Sequence, residues 1–184
     1  MRTFIAIKII PEKKLLDFVS TLRTTFEGEA ISWVDTNNLH LTLRFLGETS
    51  DEQVLKVTRL LDNISLNYHR FQFILKGVGF FKSKNRPRVL FLSVENDLLL
   101  KQLTAEIEEM VVSTGISREE KSFNPHLTLG RIKFLQNKNA FYSLTSELKG
   151  AKIQSVSVSK IIYYQSVLSS AGAIYKPIQI IQLK

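Results

Sequence analysis

The chain of 184 residues contains no cysteine. That excludes disulfides, thiolate metal sites, iron–sulfur clusters and cysteine nucleophiles. Four prolines and eight glycines are too few for a loop-dominated or fibrous protein. No run of residues approaches the ~20 apolar positions that span a bilayer. The apolar start, residues 1–10, is interrupted by Arg2, Thr3 and Lys8 and leads into Pro11, Glu12, Lys13 and Lys14 without a small-residue cleavage site. It reads as a strand, not a signal peptide, so a cytoplasmic protein without membrane contact is expected. No glycine-rich phosphate loop or GxGxxG is present, which leaves a nucleotide-dependent ligase unsupported. Acidic residues are also in short supply: 17 Asp and Glu face 25 Lys and Arg, a net charge of +8. Such a surplus favours nucleic acid or phosphorylated substrates, although a generally basic solvated surface gives the same count.

What is present is ordinary globular material, 44% hydrophobic and 23% charged. Residues 3–10 are β-branched and aromatic, hence a strand. Leu15, Leu16, Val19, Leu22 and Phe26 follow at helical spacing, with Pro11 suited to the first turn and Gly28 to the end. Residues 38–46 alternate as a second strand. Ser50 and Gln53 predict a capping box for a helix running through Val54, Leu55, Val57, Leu61 and Ile64. Residues 70–81 read as a strand, with Gly77 and Gly79 marking a bulge or bend. A basic loop is expected over residues 82–88, then a strand to 95 and a helix over 98–112. A polar connector spans 116–124, followed by a strand over 126–132 and a helix over 137–148. The tail is expected to form two strands joined around Ser169–Gly172.

The order is β-α-β-α-β twice, then a final strand. The two halves, about 1–81 and 87–168, share a tetrapeptide: His40-Leu41-Thr42-Leu43 recurs as His126-Leu127-Thr128-Leu129. Phe4 precedes His40 by 36 residues and Phe91 precedes His126 by 35. A single α+β domain over 1–184, duplicated about a pseudo-two-fold axis, accounts for this. Composition would give any one histidine such a motif roughly once in 200 times, so two of the three histidines opening it is on the order of 10⁻⁴ by chance.

Strand geometry gives the motif chemical meaning. Residues i and i+2 share a face, so Leu41 and Leu43 can enter the core while His40 and Thr42 stand opposite. His126 and Thr128 repeat the arrangement. Converging on one cleft, two imidazoles supply a base for an attacking hydroxyl or water and an acid for the departing oxygen. An unperturbed pKa near 6.5 lets both forms exist, with activity expected to peak near neutrality. Thr42 and Thr128 can donate to the nonbridging phosphate oxygens. No second ligand lies at metal-binding spacing, so neither metal nor cofactor is expected. Arg131, five residues after His126, can reach phosphate or base. Phe45, at the same offset from His40, can stack on a base or pack in the core. Lys82, Lys84, Arg86 and Arg88 suit an RNA backbone or form a solvated charge run. Trp33 reads as a buried anchor rather than a stacking platform, and His69 as a surface residue rather than a third catalyst.

These motifs resemble the two-histidine phosphoesterase superfamily, most closely its RNA 2′,3′-cyclic phosphodiesterases, also described as 2′-5′ RNA ligases. The similarity spans Phe4-Ile5-Ala6-Ile7, Trp33-Val34, residues 38–47, Arg86-Pro87-Arg88-Val89-Leu90 and residues 123–131. It implies a bilobal α+β fold with an antiparallel sheet in each lobe and a cleft between them. It implies hydrolysis of a 2′,3′-cyclic phosphate end of RNA to a 2′-phosphate, with no obligatory protein partner. By family roles His40 would protonate the departing 3′ oxygen and His126 would activate water; the residues alone do not assign these roles. Ligation would be the reverse reaction, with a 5′ hydroxyl in place of water. Rival readings are an enzyme for a small cyclic nucleotide or ADP-ribose derivative, and a non-catalytic RNA-binding module.

Overall fold

The computed structural model describes residues 1–170 and 172–184. Two antiparallel sheets share one hydrophobic core. The first sheet is built on β1 (Arg2–Lys8), whose interior is buried on both faces. β1 lies between β3 (His40–Glu48) and β8 (Lys160–Ser169), with β9 (Gly172–Gln182) outside β8. In the second sheet, β5 (Arg86–Glu95) lies between β6 (His126–Phe134) and β4 (Phe71–Ser83). Its edges are β2 (Ala30–Trp33) and β7 (Lys152–Val158).

The orders β3-β1-β8-β9 and β6-β5-β4-β7 correspond strand for strand. Each sheet takes its third strand from the other sequence half: β4 joins β5, and β8 joins β1. Helices cross over as well. Helix α4 (Leu98–Ser113) packs on β3, whereas α1 (Lys13–Thr25) packs on β7. Leu15, Val19 and Leu22 form the buried stripe of α1, as their spacing predicts. The capping box of α2 (Asp51–Leu61) forms as expected, with Ser50 accepting from the Gln53 amide and Gln53 accepting from that of Ser50. The helical run then breaks, and Ile64–Asn67 forms a separate short helix, α3. Helix α5 (Lys138–Glu147) packs on β4.

Three further elements differ from expectation. The four-residue β2 escaped notice because it is too short for a period, and pairing with β6 makes it a strand. The tail holds three strands rather than two, since a break at Ser159 separates β7, which pairs with β4, from β8, which pairs with β1. Of the turn expected at Ser169–Gly172, Ala171 lies outside the described residues. The basic loop at 82–88 is instead the end of a β-hairpin, with Ser83 paired to Arg86. Its two-residue turn, Lys84-Asn85, has φ of 49° and 59°, the left-handed pair that matches strand twist. The bulge expected near Gly77 is present: φ there is +69°, and a Cβ would lie 2.0 Å from the Lys149 carbonyl oxygen. It resets the alternation of β4 from Phe71, Phe73 and Leu75 to Val78 as core residues.

Candidate functional site

β3 and β6 come together where the sheets meet. Their first residues are His40 and His126, and their burial follows one pattern. Leu41 and Leu43, like Leu127 and Leu129, are buried in the core, while His40, Thr42, His126 and Thr128 are half-buried. The strands depart from strict alternation at the same place. A register shift opposite Ile5 and Ala6 leaves Leu43 as the extra residue of β3, and one opposite Leu90 and Phe91 leaves Leu129 as that of β6. Without it, the position five residues after each histidine would face the core. With it, Phe45 pairs with Phe4 and Arg131 with Val89, both exposed on the same face as the threonines.

Each imidazole is fixed in the same way. His40 Nδ1 is 2.7 Å from the carbonyl oxygen of Asn38, and His126 Nδ1 is 2.7 Å from that of Asn124. A carbonyl only accepts, so Nδ1 carries hydrogen in both rings. In the neutral form the lone pair is then on Nε2, the atom left to exchange protons. Asn38 and Asn124 extend the repeat to Asn-x-His-x-Thr, a signal present in the sequence but not singled out. Aromatic rings complete each setting. Phe4 and Tyr175 lie 5.2 and 5.0 Å from His40, and Phe91 and Phe81 lie 5.3 and 4.8 Å from His126. The matched offsets of Phe4 and Phe91 thus place one phenyl ring beside each imidazole. Tyr175 and Phe81 belonged to no motif and were missed.

Burial is the main cause of a lowered pKa at both histidines, and each carbonyl bond opposes it. The charge of His126 lowers His40 further. Arg131 does the same to His126, and its charge also reaches the phenol of Tyr175 from the opposite sheet. Both shifts favour the neutral imidazoles.

Other sequence candidates are more dispersed. Phe45 is 41% exposed, stacked 6.5 Å from Phe4, with the Arg2 guanidinium 5.1 Å from its ring. Arg88 donates to the carbonyls of Ile132 and Lys133 along β6, which engages its guanidinium there. Lys82, Lys84 and Arg86 are exposed on the β4–β5 hairpin, just beyond Phe81. Trp33 is half-buried against the core beneath Arg23, and His69 is exposed. Arg44, adjacent to Phe45, points into the protein. It pairs with Glu108 and donates to the Ser117 carbonyl at 2.6 Å, pinning the connector that leads to His126. Among the described residues, no three His, Asp or Glu side chains gather as metal ligands. No helix there is long and apolar enough to cross a membrane.

The arrangement has close relatives. A Thermotoga maritima protein named RNA 2′,3′-cyclic phosphodiesterase is 36% identical over 96% of this chain and 92% of its own length. An Aeropyrum pernix protein of the same name is 37% identical over 81% of this chain and 84% of its own. The crystal structure of E. coli LigT complexed with 3′-AMP superposes with a TM-score of 0.79 at 26% identity, covering 99% of this chain and 97% of that one. The family model described as LigT like phosphoesterase matches twice, at residues 7–91 and 92–175, each stretch holding one histidine–threonine pair. Two such matches spanning most of the chain, with their histidine-bearing strands β3 and β6 brought together by the fold described above, make this protein a member of the LigT-like phosphoesterase family.

Proposed function

We propose that the protein hydrolyses the 2′,3′-cyclic phosphate end of RNA to a 2′-phosphate, with His126 as proton acceptor and His40 as proton donor. The observation that carries this reading is the pair of Nδ1–carbonyl bonds, which leaves two equivalent Nε2 atoms for proton exchange. Water attacks phosphorus as His126 Nε2 takes its proton. The P–O3′ bond breaks, and O3′ takes the proton of His40 Nε2. Thr42, Thr128 and Arg131 hold the nonbridging oxygens as charge shifts onto them. No metal takes part. The same ring opening, with a 5′ hydroxyl entering in place of water, would form a 2′-5′ linkage.

The direction of proton flow has geometric support. Both ester oxygens belong to one ribose, so the nucleoside lies on the acid's side and water enters from the other. The His40 side offers the half-buried ring of Tyr175 and the exposed ring of Phe45, backed by buried Phe4, Ala6, Ile162 and Tyr164, rings suited to a sugar and a base. Names of the relatives support the substrate class, and the basic β4–β5 hairpin suits the RNA backbone.

The test is turnover of an oligonucleotide ending in a 2′,3′-cyclic phosphate, after exhaustive chelation. His40→Ala and His126→Ala should each slow chemistry by roughly 10²–10⁴-fold, and the double variant should fall far short of the product of the two losses. Oligonucleotide affinity should fall more steeply with salt than that of a cyclic mononucleotide. Near-normal turnover by either single variant refutes the assignment, as does activity that chelation abolishes and a divalent ion restores. Equal salt slopes point to a small-molecule substrate.

A further inference from the structure

The ribose gives a 2′,3′-cyclic phosphate two unlike sides. C3′ carries O3′ and adjoins C4′, which bears the 5′ chain. C2′ carries O2′ and adjoins C1′, which bears the base. With O3′ leaving at His40, the 5′ side of the ribose faces the sheet of β1 and β3, and its own base faces the sheet of β5 and β6. In a free cyclic nucleotide the 5′ side ends in a hydroxyl. In RNA it continues into a phosphodiester and another nucleotide, which then lie over β1 and β3.

That face differs from its counterpart on the other sheet. Five residues after His126, Arg131 brings its charge to His126 and to Tyr175, which places it at the reacting phosphate. Five residues after His40 stands Phe45, an uncharged ring with 41% of its surface in water. Phe4 bridges the two, 5.2 Å from His40 and stacked at 6.5 Å on Phe45. Phe45 is therefore one ring further from the imidazole than Phe4. Arg2 precedes Phe4 by two on β1 and shares its face, with its guanidinium 5.1 Å from the centre of the Phe45 ring. Among the described residues, the exposed Arg2 side chain has no carboxylate partner and no hydrogen bond. Glu48, opposite Arg2 across the strands, has its carboxylate 3.6 Å from the terminal ammonium of Met1. Core packing accounts for Phe4, which is buried, but not for the wet ring of Phe45 or the unpaired charge beside it.

Resting on the cyclic-phosphate reading above, we propose that Phe45 and Arg2 form a subsite for the nucleotide on the 5′ side of the cyclic end. The base of that nucleotide takes the place of the guanidinium on the Phe45 ring. The guanidinium, on a flexible exposed stem, moves to the phosphodiester that joins the nucleotide to the terminal ribose. An aromatic face beside a cation holds single strands without reading sequence, because every base has a ring face. The subsite thus selects an RNA end over a free cyclic mononucleotide.

The experiment measures kcat/KM for the dinucleotide adenylyl-(3′→5′)-adenosine 2′,3′-cyclic phosphate and for adenosine 2′,3′-cyclic phosphate, and takes their ratio. Wild type should favour the dinucleotide by roughly 10–100-fold. Phe45→Leu should cut the ratio roughly tenfold, and should leave it unmoved when the 5′ nucleotide is abasic. Arg2→Gln should cut it roughly threefold, and should leave it unmoved when the linkage is an uncharged methylphosphonate. The ratio is internal to each preparation, so partial unfolding does not change it. A ratio unchanged in both variants overturns the proposal even if stability or both rates fall, because the two residues would then be a surface cation–π pair and nothing more. A ratio that survives both changes and falls in Lys84→Gln puts the 5′ strand on the β4–β5 hairpin and overturns it equally. If wild type hydrolyses neither substrate, the underlying cyclic-phosphate reading fails and the subsite with it.

Discussion

Replacing Gly79 by alanine separates two roles for that glycine. Its φ is not in the left-handed region, so the backbone accepts any L-residue. Chain entropy alone predicts that alanine stabilises the fold by about 0.4–1 kcal/mol. Packing predicts the opposite. A Cβ at Gly79 would lie 2.6 and 2.7 Å from the Cε2 and Cζ atoms of Phe91, its partner across β4 and β5. Carbon atoms rest at about 3.5–4.0 Å, so the ring must retreat by about 1 Å. Its exits are occupied by Phe81, with centroids 4.3 Å apart, and by His126 at 5.3 Å. Displacement therefore passes to the imidazole. Overpacking of this kind costs about 1–3 kcal/mol, which after the entropy gain leaves a net loss of up to about 2.6 kcal/mol. A shift of about 1 Å in a reacting group is worth about 10² in rate, so kcat/KM should fall by roughly 10–100-fold. Urea unfolding and steady-state kinetics on a cyclic-phosphate substrate measure both. Gly79→Ala with unreduced kcat/KM refutes the claim that Phe91 sets the position of His126. A stability gain near 1 kcal/mol refutes the packing conflict.

Three further outcomes follow from the electrostatics. With both histidine pKa values lowered, the bell-shaped kcat/KM profile should centre below the ordinary imidazole value of about 6.5; a plateau extending unchanged to pH 8, with chemistry rate-limiting, refutes it. Over the same range the unfolded chain binds more protons than the folded one, so stability should drop as pH falls from about 6.5, and Tm should depend less on pH in a His40→Ala/His126→Ala variant. Glu108→Ala leaves the buried Arg44 guanidinium with its carbonyl partners and the more distant, half-exposed Glu119 carboxylate at 3.6 Å. The expected loss is about 3 kcal/mol by urea unfolding, and a change under about 1 kcal/mol would show that the pair is not structurally important.

What the sequence by itself determined is what local physics controls. Leucines alternating with histidine and threonine select a strand and assign its faces, because the side-chain period of a strand is two. Ser50 and Gln53 close a box within one helical turn, and the Leu15, Val19 and Leu22 stripe needs only the helix period. The pairing of His40-Leu41-Thr42 with His126-Leu127-Thr128 was legible because duplication writes the same solution twice.

Tertiary structure decided the rest. Alternation alone would turn Phe45 and Arg131 away from the histidines, and bulges opposite β1 and β5 bring them back. Residues 30–33 are a strand because β6 offers an unpaired edge. Exchange of β4 and β8 between the sheets depends on which edges are open once the chain has collapsed, and no window of neighbouring residues records that. For the same reason Phe81 and Tyr175 carried no signal. Each reaches its histidine only through pairing between distant strands, and Tyr175, 135 residues beyond His40, is brought there by β8, which lies between β9 and β1.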